Sequence, residues 1–230
     1  MTKGALDTLS TIRLFSGLNH SQLLWLNARI HTQAFPEHVD LVIEGEPGEV
    51  VYFILSGTVK VFLPQLDGSQ VTVNIEGPGD MIGELSAIDQ AGRAASVVTL
   101  EPTQTVWMSR EHFLETLRTL PPANENLLRL LVERVRRTTE LVRAYAVLDV
   151  PGRIIRQLLT LADQYGHRTQ NGIYIPLCLM QNDIAELVGS SRKRANQVMV
   201  ALRREGLIVS DTAGHITLLD PGRLINSLNQ

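Results

Sequence analysis

The chain has 230 residues, a hydrophobic fraction of 44% and a formal net charge of −3, so it is long enough for two ordinary domains with real cores. Its single cysteine, Cys178, excludes an intrachain disulfide framework, a four-cysteine iron–sulfur cluster and a multi-cysteine zinc site. The sequence has no run of about 18 apolar residues and no signal-peptide core at its N-terminus, so we expect a cytoplasmic protein without a membrane partner.

The first half of the chain changes from helical to strand-like spacing. Residues 8–30 carry leucine and isoleucine at helical intervals around a break at Gly17. Short β-prone runs follow at residues 39–43, 50–55, 58–63, 71–75, 96–100 and 105–108, with turns rich in glycine and proline between them. Many short strands with regular turns predict an antiparallel sandwich or barrel.

Residues 79–96 carry the most informative motif, Gly-Asp-Met-Ile-Gly-Glu-Leu-Ser-Ala-Ile-Asp-Gln-Ala-Gly-Arg-Ala-Ala-Ser. The motif places a carboxylate, Glu84, and a guanidinium, Arg93, at the two ends of one short segment. Arg93 can bind a phosphate with paired donors, and an ionised Glu84 can only accept, as it would from a ribose hydroxyl. A short helix beginning near Gly83 would add backbone N–H donors. We therefore predict a site for a small ligand with a phosphate and a sugar hydroxyl.

The Gly-Glu-Leu and Arg-Ala-Ala-Ser parts of this motif resemble the phosphate-binding cassette of cyclic-nucleotide-binding domains, especially that of the cyclic-AMP-dependent kinase regulatory subunits. The chain from about residue 15 to 219 resembles the CRP/FNR transcription factors. The resemblance implies a cyclic-nucleotide site formed by Gly83, Glu84, Leu85, Ser86, Arg93 and Ala94. Because the kinase subunits also carry alanine at the position of Ala94, where bacterial members often have a hydroxyl residue, we expect cyclic AMP rather than cyclic GMP as effector. No prosthetic group, metal site or catalytic residue is expected.

The same resemblance implies an α+β fold with three parts. These are an N-terminal antiparallel β-roll (jelly-roll-like) sensor domain over residues 1–122, a long dimerisation helix and hinge over 123–149, and a C-terminal winged helix-turn-helix domain over 150–230. It also implies a homodimer on palindromic double-stranded DNA, with RNA polymerase as a further candidate partner.

A long helix is predicted from the prolines at 121 and 122 to about residue 148. Its apolar residues repeat every 3.5 positions, which is typical of helix pairing across a dimer. We call this set the predicted seam; it consists of Leu128, Leu131, Val135, Thr138, Val142 and Tyr145. Thr138 is the polar exception, with Thr139 beside it. The family's long helix supplies two hydroxyls to the adenine, one from each subunit, and the resemblance places Thr138 and Thr139 at those positions.

A hinge between two domains is predicted at Asp149, Val150 and Pro151. Proline cannot continue the long helix but fits the first turn of the next one, with Asp149 near its cap. After it we expect a helix over about 152–165, a strand over 173–177, two helices over about 181–205 and a hairpin from 207–209 and 215–219.

Residues 181–208 have the pattern of a helix-turn-helix, with Gly189 in the tight turn and Ser190 or Ser191 capping the second helix. The predicted DNA-binding residues at the start of that helix are Ser191, Arg192, Lys193, Arg194, Asn196 and Gln197. Between residues 181 and 206 five basic residues stand against three acidic ones, although the whole chain is acidic.

The Gly189-Ser-Ser-Arg192 sequence also resembles the CRP/FNR family, which implies that Arg192 contacts a guanine. The family's best-studied members have an acid after this arginine and a second arginine further along the helix. Here those positions hold Lys193 and Gln197. Since lysine cannot accept a hydrogen bond from cytosine N4, we expect a different operator half-site.

Three alternatives to a cyclic-nucleotide-responsive regulator stay open at this point. The protein could be a regulator of the same fold that responds to haem, a gas or a small acid, with His31 or His38 as an iron ligand, or that needs no ligand. It could be a nucleotide-binding module without a DNA role, although the helix-turn-helix argues against this. It could be an enzyme, but no nucleophile elbow, P-loop, His-Glu-x-x-His or dinucleotide motif occurs.

Overall fold

Two helices and a short 3-10 turn precede the first sheets in the computed structural model, which describes residues 3–228. They are α1 (Lys3–Ser10), the 3-10 turn (Arg13–Phe15) and α2 (His20–Asn27). Gly17 lies between them with φ of +78°, which accounts for the predicted break. The side chain of Asn19 accepts from the N–H of Gln22 at 3.0 Å, and that of Gln22 accepts from the N–H of Asn19 at 2.9 Å. This reciprocal pair fixes the start of α2.

Eight strands form two four-stranded sheets in the N-terminal half. They are β1 (His31–Phe35), β2 (Asp40–Val42), β3 (Val50–Ser56), β4 (Val59–Pro64), β5 (Gln70–Glu76), β6 (Met81–Ile82), β7 (Ser96–Thr99) and β8 (Thr103–Ser109). One sheet has the order β1-β8-β3-β6 and the other β2-β7-β4-β5. The pairs of β8 with β1 and β3, of β3 with β6, and of β7 with β2 and β4 are antiparallel. The predicted antiparallel double-sheet domain is confirmed.

The main core of this half lies between the first sheet and the helices. Phe15 and Phe53 pack with ring centroids 4.9 Å apart and are almost fully buried. Leu9, Ile12, Phe113 and Met108 complete the same cluster. Burial of these apolar side chains holds the N-terminal helices against the sheet. Each Å² of apolar surface removed from water contributes about 25 cal/mol of stabilising free energy.

Three helices follow or interrupt the strands: α3 (Glu84–Asp89), α4 (Arg110–Thr119) and α5 (Pro121–Val147). The predicted long helix is confirmed and has 27 residues. Helix α4 directly precedes it and had no counterpart in the sequence prediction. Ser109 caps α4 by accepting from the N–H of His112 at 3.2 Å.

Exposed apolar side chains mark one face of α5. Leu128 is 57% exposed, Val132 52%, Val135 65% and Val142 64%. With the exposed Thr139, these five residues alternate by four and three positions along the helix, and we call them the exposed stripe. The stripe differs from the predicted seam because Leu131 packs against the domain core, so its apolar surface is already covered.

The C-terminal half begins with α6 (Val150–Tyr165), two residues earlier than predicted. Asp149 caps it by accepting from the N–H of Gly152 at 2.9 Å, and Pro151 stands in its first turn. The helix-turn-helix consists of α7 (Gln181–Leu187) and α8 (Arg192–Arg204). The strands β9 (His167–Thr169), β10 (Gly172–Ile175), β11 (Ile208–Ser210) and β12 (Ile216–Leu218) form a sheet in the order β11-β12-β10-β9, and α9 (Pro221–Ser227) follows. The predicted winged helix-turn-helix is confirmed.

The chain divides into two compact units whose boundary crosses the hairpin of β4 and β5. The first unit contains the residues up to Leu63 and Ile75–Arg136, and the second contains Pro64–Asn74 and the residues from Arg137 onward. The hairpin tip belongs to the second unit, in which the Thr72 hydroxyl donates to Glu186 at 3.0 Å. Within residues 3–228, no helix is long and apolar enough to cross a bilayer.

Candidate functional site

The residues of the cassette motif line a cavity in the first unit. Six of the eight predicted ligand residues line it, namely Gly83, Glu84, Leu85, Ser86, Arg93 and Ala94, whereas Thr138 and Thr139 are not among its lining residues. Its apolar wall consists of Val42, Val61, Met81, Ile82, Ala95 and Val97. Two charged residues that the sequence prediction did not name, Glu76 and Arg134, line it as well. The cavity has the mixed apolar and charged lining of a small-molecule site.

Arg93 is held in the cavity wall by backbone and hydroxyl acceptors. Its Nη1 donates to the Gly83 carbonyl at 3.1 Å and to Ser86 Oγ at 3.0 Å, and its Nη2 donates to the Val50 carbonyl at 2.8 Å. Burial lowers the pKa of Arg93, while Tyr52 and the acids around it act in the opposite direction. These contacts fix the guanidinium before any ligand binds, which reduces the entropy that binding must remove.

Gly83 makes this arrangement possible. Its φ is +89°, and a Cβ at this position would lie 2.0 Å from Arg93 Nη1. Glycine is therefore required both for the backbone conformation and for the close approach of the guanidinium. Helix α3 starts at the next residue, Glu84, as the sequence predicted.

Glu84 is 1% exposed and forms an ion pair with Arg134 from α5. The Nη1 of Arg134 donates to Glu84 Oε1, and its Nη2 lies 3.6 Å from Glu76 Oε1. Burial lowers the pKa of Arg134, but Glu84 and Glu76 raise it by more, so the net shift is upward. The acid predicted to accept a sugar hydroxyl is thus already paired with an arginine.

Glu76 and Asp80 extend the charged network behind the cavity. Glu76 is 4% exposed and Asp80 8%. Asp80 accepts from the N–H of Gly77 at 3.0 Å and lies 3.7 Å from Arg13 Nη1. Burial, followed by the charge of Asp80, raises the pKa of Glu76 to about 8. Sequence reasoning missed Glu76 and Arg134 because neither lies in the cassette motif, and Arg134 is only one of several charged residues on α5.

The recognition-helix residues lie on the outer surface of the second unit. Ser191 caps α8 by accepting from the N–H of Arg194 at 3.3 Å, and Arg192, Lys193, Arg194 and Gln197 are exposed. Ala195, Val198, Met199 and Leu202 form the buried face of the same helix, as predicted. The turn between the helices contains Gly189 with φ of +60°. The cluster of cations at a free helix start suits an anionic partner.

Tyr145 joins the end of α5 to this turn. Its hydroxyl donates to the Leu187 carbonyl at 2.9 Å, and a Cβ on Gly189 would lie 2.9 Å from its Cε1. The Arg153 guanidinium lies 5.1 Å from the ring centroid. Tyr145 was predicted as a seam residue. In the structure it contacts the turn between α7 and α8, and 39% of it stays exposed.

The remaining predicted residues occupy separate places. Thr138 and Thr139 are exposed on α5, one turn beyond Arg134, and their contact with a bound base stays a prediction. His31 stacks on Trp107 with centroids 4.6 Å apart, and His38 lies in a turn with φ of +60°. Across the described part of the chain, no group of three or more His, Cys, Asp or Glu side chains could hold a metal ion.

Comparisons with known proteins agree with this architecture. The chain matches the cyclic nucleotide-binding domain model over residues 32–119 and the Crp-like helix-turn-helix domain model over residues 152–227. It is 34% identical over 202 residues to the CRP-like cAMP-activated global transcriptional regulator of Mycobacterium tuberculosis, which covers 88% of this chain and 90% of that protein. It is 29% identical over 195 residues to the cyclic AMP receptor protein of Thermus thermophilus, covering 85% and 87%. The solved structure of FixK2 from Bradyrhizobium japonicum has the same fold, with a TM-score of 0.75, 17% identity and coverage of 86% and 96%.

A cyclic nucleotide-binding domain and a Crp-like helix-turn-helix domain in one chain define a class of transcription regulators. The chain belongs to the CRP/FNR family of such regulators.

Proposed function

We propose that this protein is a cyclic-AMP-responsive, sequence-specific DNA-binding regulator that acts as a homodimer. The observation that carries the proposal is that one cavity contains both Arg93, a phosphate-binding group, and Glu84, an acceptor for a sugar hydroxyl. The relation to a cAMP-activated regulator at 34% identity supports cyclic AMP as the effector. Ala94 in the cavity wall supports cyclic AMP over cyclic GMP.

Binding would change the pairing of Glu84. Because Arg134 donates to Glu84, a ribose hydroxyl must share that carboxylate with the arginine or replace it. Glu84 has two oxygens, so the hydroxyl can use lone pairs that Arg134 leaves open. In this proposal Arg134 transmits ligand binding to α5, the helix that also carries Thr138 and Thr139.

Calorimetric titration of the purified protein with cyclic AMP and cyclic GMP tests the effector. We expect cyclic AMP to bind more tightly, and we expect Arg93→Glu to weaken its binding by at least about a hundredfold, since charge reversal replaces a charge-assisted contact with repulsion. Glu37→Gln, at an exposed position away from the cavity, is the matched control and should bind as the parent does. Retained binding in Arg93→Glu would place the nucleotide elsewhere.

DNA selection with and without the better ligand tests the second half of the proposal. The cluster of Arg192, Lys193 and Arg194 is expected to enter the major groove, with the two recognition helices of a dimer about 34 Å apart. A palindromic site enriched only in the presence of cyclic AMP is the expected result. Enrichment that does not depend on ligand would identify a constitutive DNA-binding protein.

Incubation of the protein with cyclic AMP, followed by chromatography of the nucleotide, separates a binding protein from a phosphodiesterase. Among the residues that the structure describes, no group of three or more His, Cys, Asp or Glu could hold a catalytic metal ion, and the Ser86 hydroxyl in the cavity donates to the Gly83 carbonyl and not to a base. We expect the nucleotide to be recovered unchanged.

The absorption spectrum of the purified protein tests the haem alternative. A spectrum without a Soret band would exclude haem.

A further inference from the structure

Glu76 is a cavity-lining acid that the proposed function does not use. It is the last residue of β5, is 4% exposed and lines the same cavity as Arg93 and Glu84. In the proposed function Glu84 alone accepts the sugar hydroxyl. The proposed function does not account for a second buried carboxyl group in the same cavity. Burying a charged acid costs free energy unless a cation or hydrogen bonds compensate the charge.

The charges around Glu76 do not balance if every acid is ionised. Three buried acids face one another here: Glu76 on β5, Asp80 in the following turn and Glu84 on α3. Three arginines face them: Arg134 from α5, Arg13 from the 3-10 turn, which is shared with a fourth acid, Glu133, and Arg93, whose charge acts on Glu84. Arg134 contacts Glu84 and lies 3.6 Å from Glu76, while Arg13 lies 3.7 Å from Asp80 and also contacts Glu133.

A proton on Glu76 restores the balance. Burial and the charge of Asp80 raise the pKa of Glu76 to about 8, and Arg134 only partly opposes this shift. In the neutral form Glu76 can donate a hydrogen bond to Asp80, a donation that an ionised Glu76 could not make.

An anionic ligand adds one more negative charge to this cavity. A phosphate on Arg93 would place its negative charge in the cavity that Glu76 also lines, and this added charge disfavours an ionised Glu76. The remaining buried charge of this sheet is Lys60 on the neighbouring strand β4.

We propose that Glu76 is a further affinity-determining residue of the nucleotide site, and that the cavity binds its anionic ligand only with a proton held on Glu76. This inference rests on the proposed function. Nucleotide binding becomes coupled to proton uptake, so affinity is highest at neutral and lower pH and falls as the pH rises through about 8, the pKa of Glu76 in the unliganded protein.

Calorimetric titration of the full chain with cyclic AMP between pH 6.5 and pH 9, in two buffers of different ionisation enthalpy, tests the proposal. In the parent protein we expect affinity to fall by about fivefold or more between pH 7 and pH 9, with net proton uptake on binding near pH 8 to 9. In Glu76→Gln, which keeps a neutral polar side chain, we expect both the pH dependence and the proton uptake to disappear. Glu37→Gln should retain both.

The outcomes separate the two proposals. If the parent protein does not bind cyclic AMP at any pH, the proposed function fails and this inference fails with it. If it binds with the same affinity and without proton uptake across the range, or if Glu76→Gln takes up the same number of protons, only the coupling through Glu76 is overturned. Should Glu76→Gln not fold, nuclear magnetic resonance titration of the glutamate side-chain carbons in the parent protein, with and without cyclic AMP, gives the same decision: the Glu76 titration must move to higher pH when ligand is bound.

Discussion

Position 83 needs glycine for two reasons, its positive φ and the close approach of Arg93. A matched pair of variants can distinguish them. Gly83 and Gly68 both have positive φ, +89° and +83°, but a Cβ at Gly83 meets Arg93 Nη1 at 2.0 Å whereas a Cβ at Gly68 meets nothing within 4 Å. We expect each alanine variant to lose about 1–2 kcal/mol of stability from backbone strain. Only Gly83→Ala should also displace Arg93.

Chemical denaturation and cyclic AMP titration of the two variants provide the measurement. Gly83→Ala is expected to lose nucleotide binding by at least about tenfold, and Gly68→Ala to keep it. Equal nucleotide affinity in the two variants would show that the close approach of Arg93 to Gly83 is not needed for binding.

The raised pKa of Glu76 also predicts a pH dependence of folding stability that does not involve the ligand. Its pKa is raised to about 8 in the folded protein, so between its ordinary range and about pH 8 the folded state holds a proton that the unfolded state releases. The stabilisation that protonated Glu76 contributes is fully present below the pKa of this residue in the unfolded chain. It is lost as the pH rises from there to about 8. We therefore expect Glu76→Gln to raise the melting temperature relative to the parent more at pH 8.5 than at pH 5.

Thermal melts of both proteins at the two pH values measure this difference. The shift should be several degrees at the higher pH, since about 1 kcal/mol corresponds to 2–4 °C in a chain of this size. An equal shift at pH 5 and pH 8.5 would mean that Glu76 does not titrate in this range.

At the site, sequence analysis predicted Glu84 and Arg93 as cavity residues but did not predict Glu76 and Arg134. The first pair lies in one short segment, where spacing alone indicates a shared function. Glu76 is separated from Glu84 by a turn and a short strand, and Arg134 is 50 residues further along the chain. Only tertiary packing brings these four together, and no local pattern encodes that packing.

At the scale of elements, α5 presents an apolar stripe with a strict alternation of four and three residues. We expect two copies of this stripe to pack against each other, because Leu128, Val132, Val135 and Val142 would otherwise expose apolar surface to water. Val135→Glu should weaken the homodimer by at least about a hundredfold, since the variant places a charge in the packed interface.

Val147→Glu is the matched control for this substitution. Val147 is 74% exposed but lies one position off the stripe, so the same chemical change there should leave the oligomer intact. Sedimentation equilibrium of both variants measures the outcome. A parent protein that is monomeric at micromolar concentration would contradict the pairing of the helices.

The recognition helix makes a prediction about base preference. Lys193 is exposed in the first turn of α8, where it can donate to guanine or phosphate but cannot accept from cytosine. Lys193→Glu should change the preferred base at one operator position, with a discrimination of about 1–3 kcal/mol. Arg203→Ala, at the opposite end of α8, should leave the preferred sequence unchanged. Selection experiments that return the same consensus for Lys193→Glu and the parent would argue against base contact by Lys193.

Prediction of the elements succeeded where periodicity was strong. The long helix, the helix-turn-helix and most strands were found because their apolar residues recur over many positions. Strand β1 was missed because its side chains are exposed or half-buried and carry no alternation, and β6 because it has only two residues. The error at Leu131 has another origin: helix spacing gives the possible faces of α5, but burial against the domain core decides which face stays exposed.

At the scale of the whole molecule, effector binding and DNA binding must affect each other equally. If cyclic AMP raises DNA affinity by a given factor, operator DNA must raise cyclic AMP affinity by the same factor. We expect Thr138→Val with Thr139→Ala to reduce both the nucleotide affinity and this coupling, because the two hydroxyls are proposed to contact the base of the bound nucleotide.

Titration of cyclic AMP with and without operator DNA, for the parent and the double variant, measures the coupling. Arg143→Ala, at an exposed position further along α5, is a suitable control and should preserve it. Unchanged nucleotide affinity together with an unchanged DNA response in the double variant would remove these hydroxyls from the proposed mechanism.

The division of the chain has a practical consequence for anyone who dissects this regulator. The C-terminal unit is discontinuous in sequence, because residues 64–74 belong to it while the residues on either side of them do not. A fragment that starts at residue 137 would lose the hydrogen bond that the Thr72 hydroxyl donates to Glu186. The isolated fragment should therefore be less stable by about 1 kcal/mol than the same residues in the full-length chain, and DNA affinities measured on it would describe an incomplete folding unit.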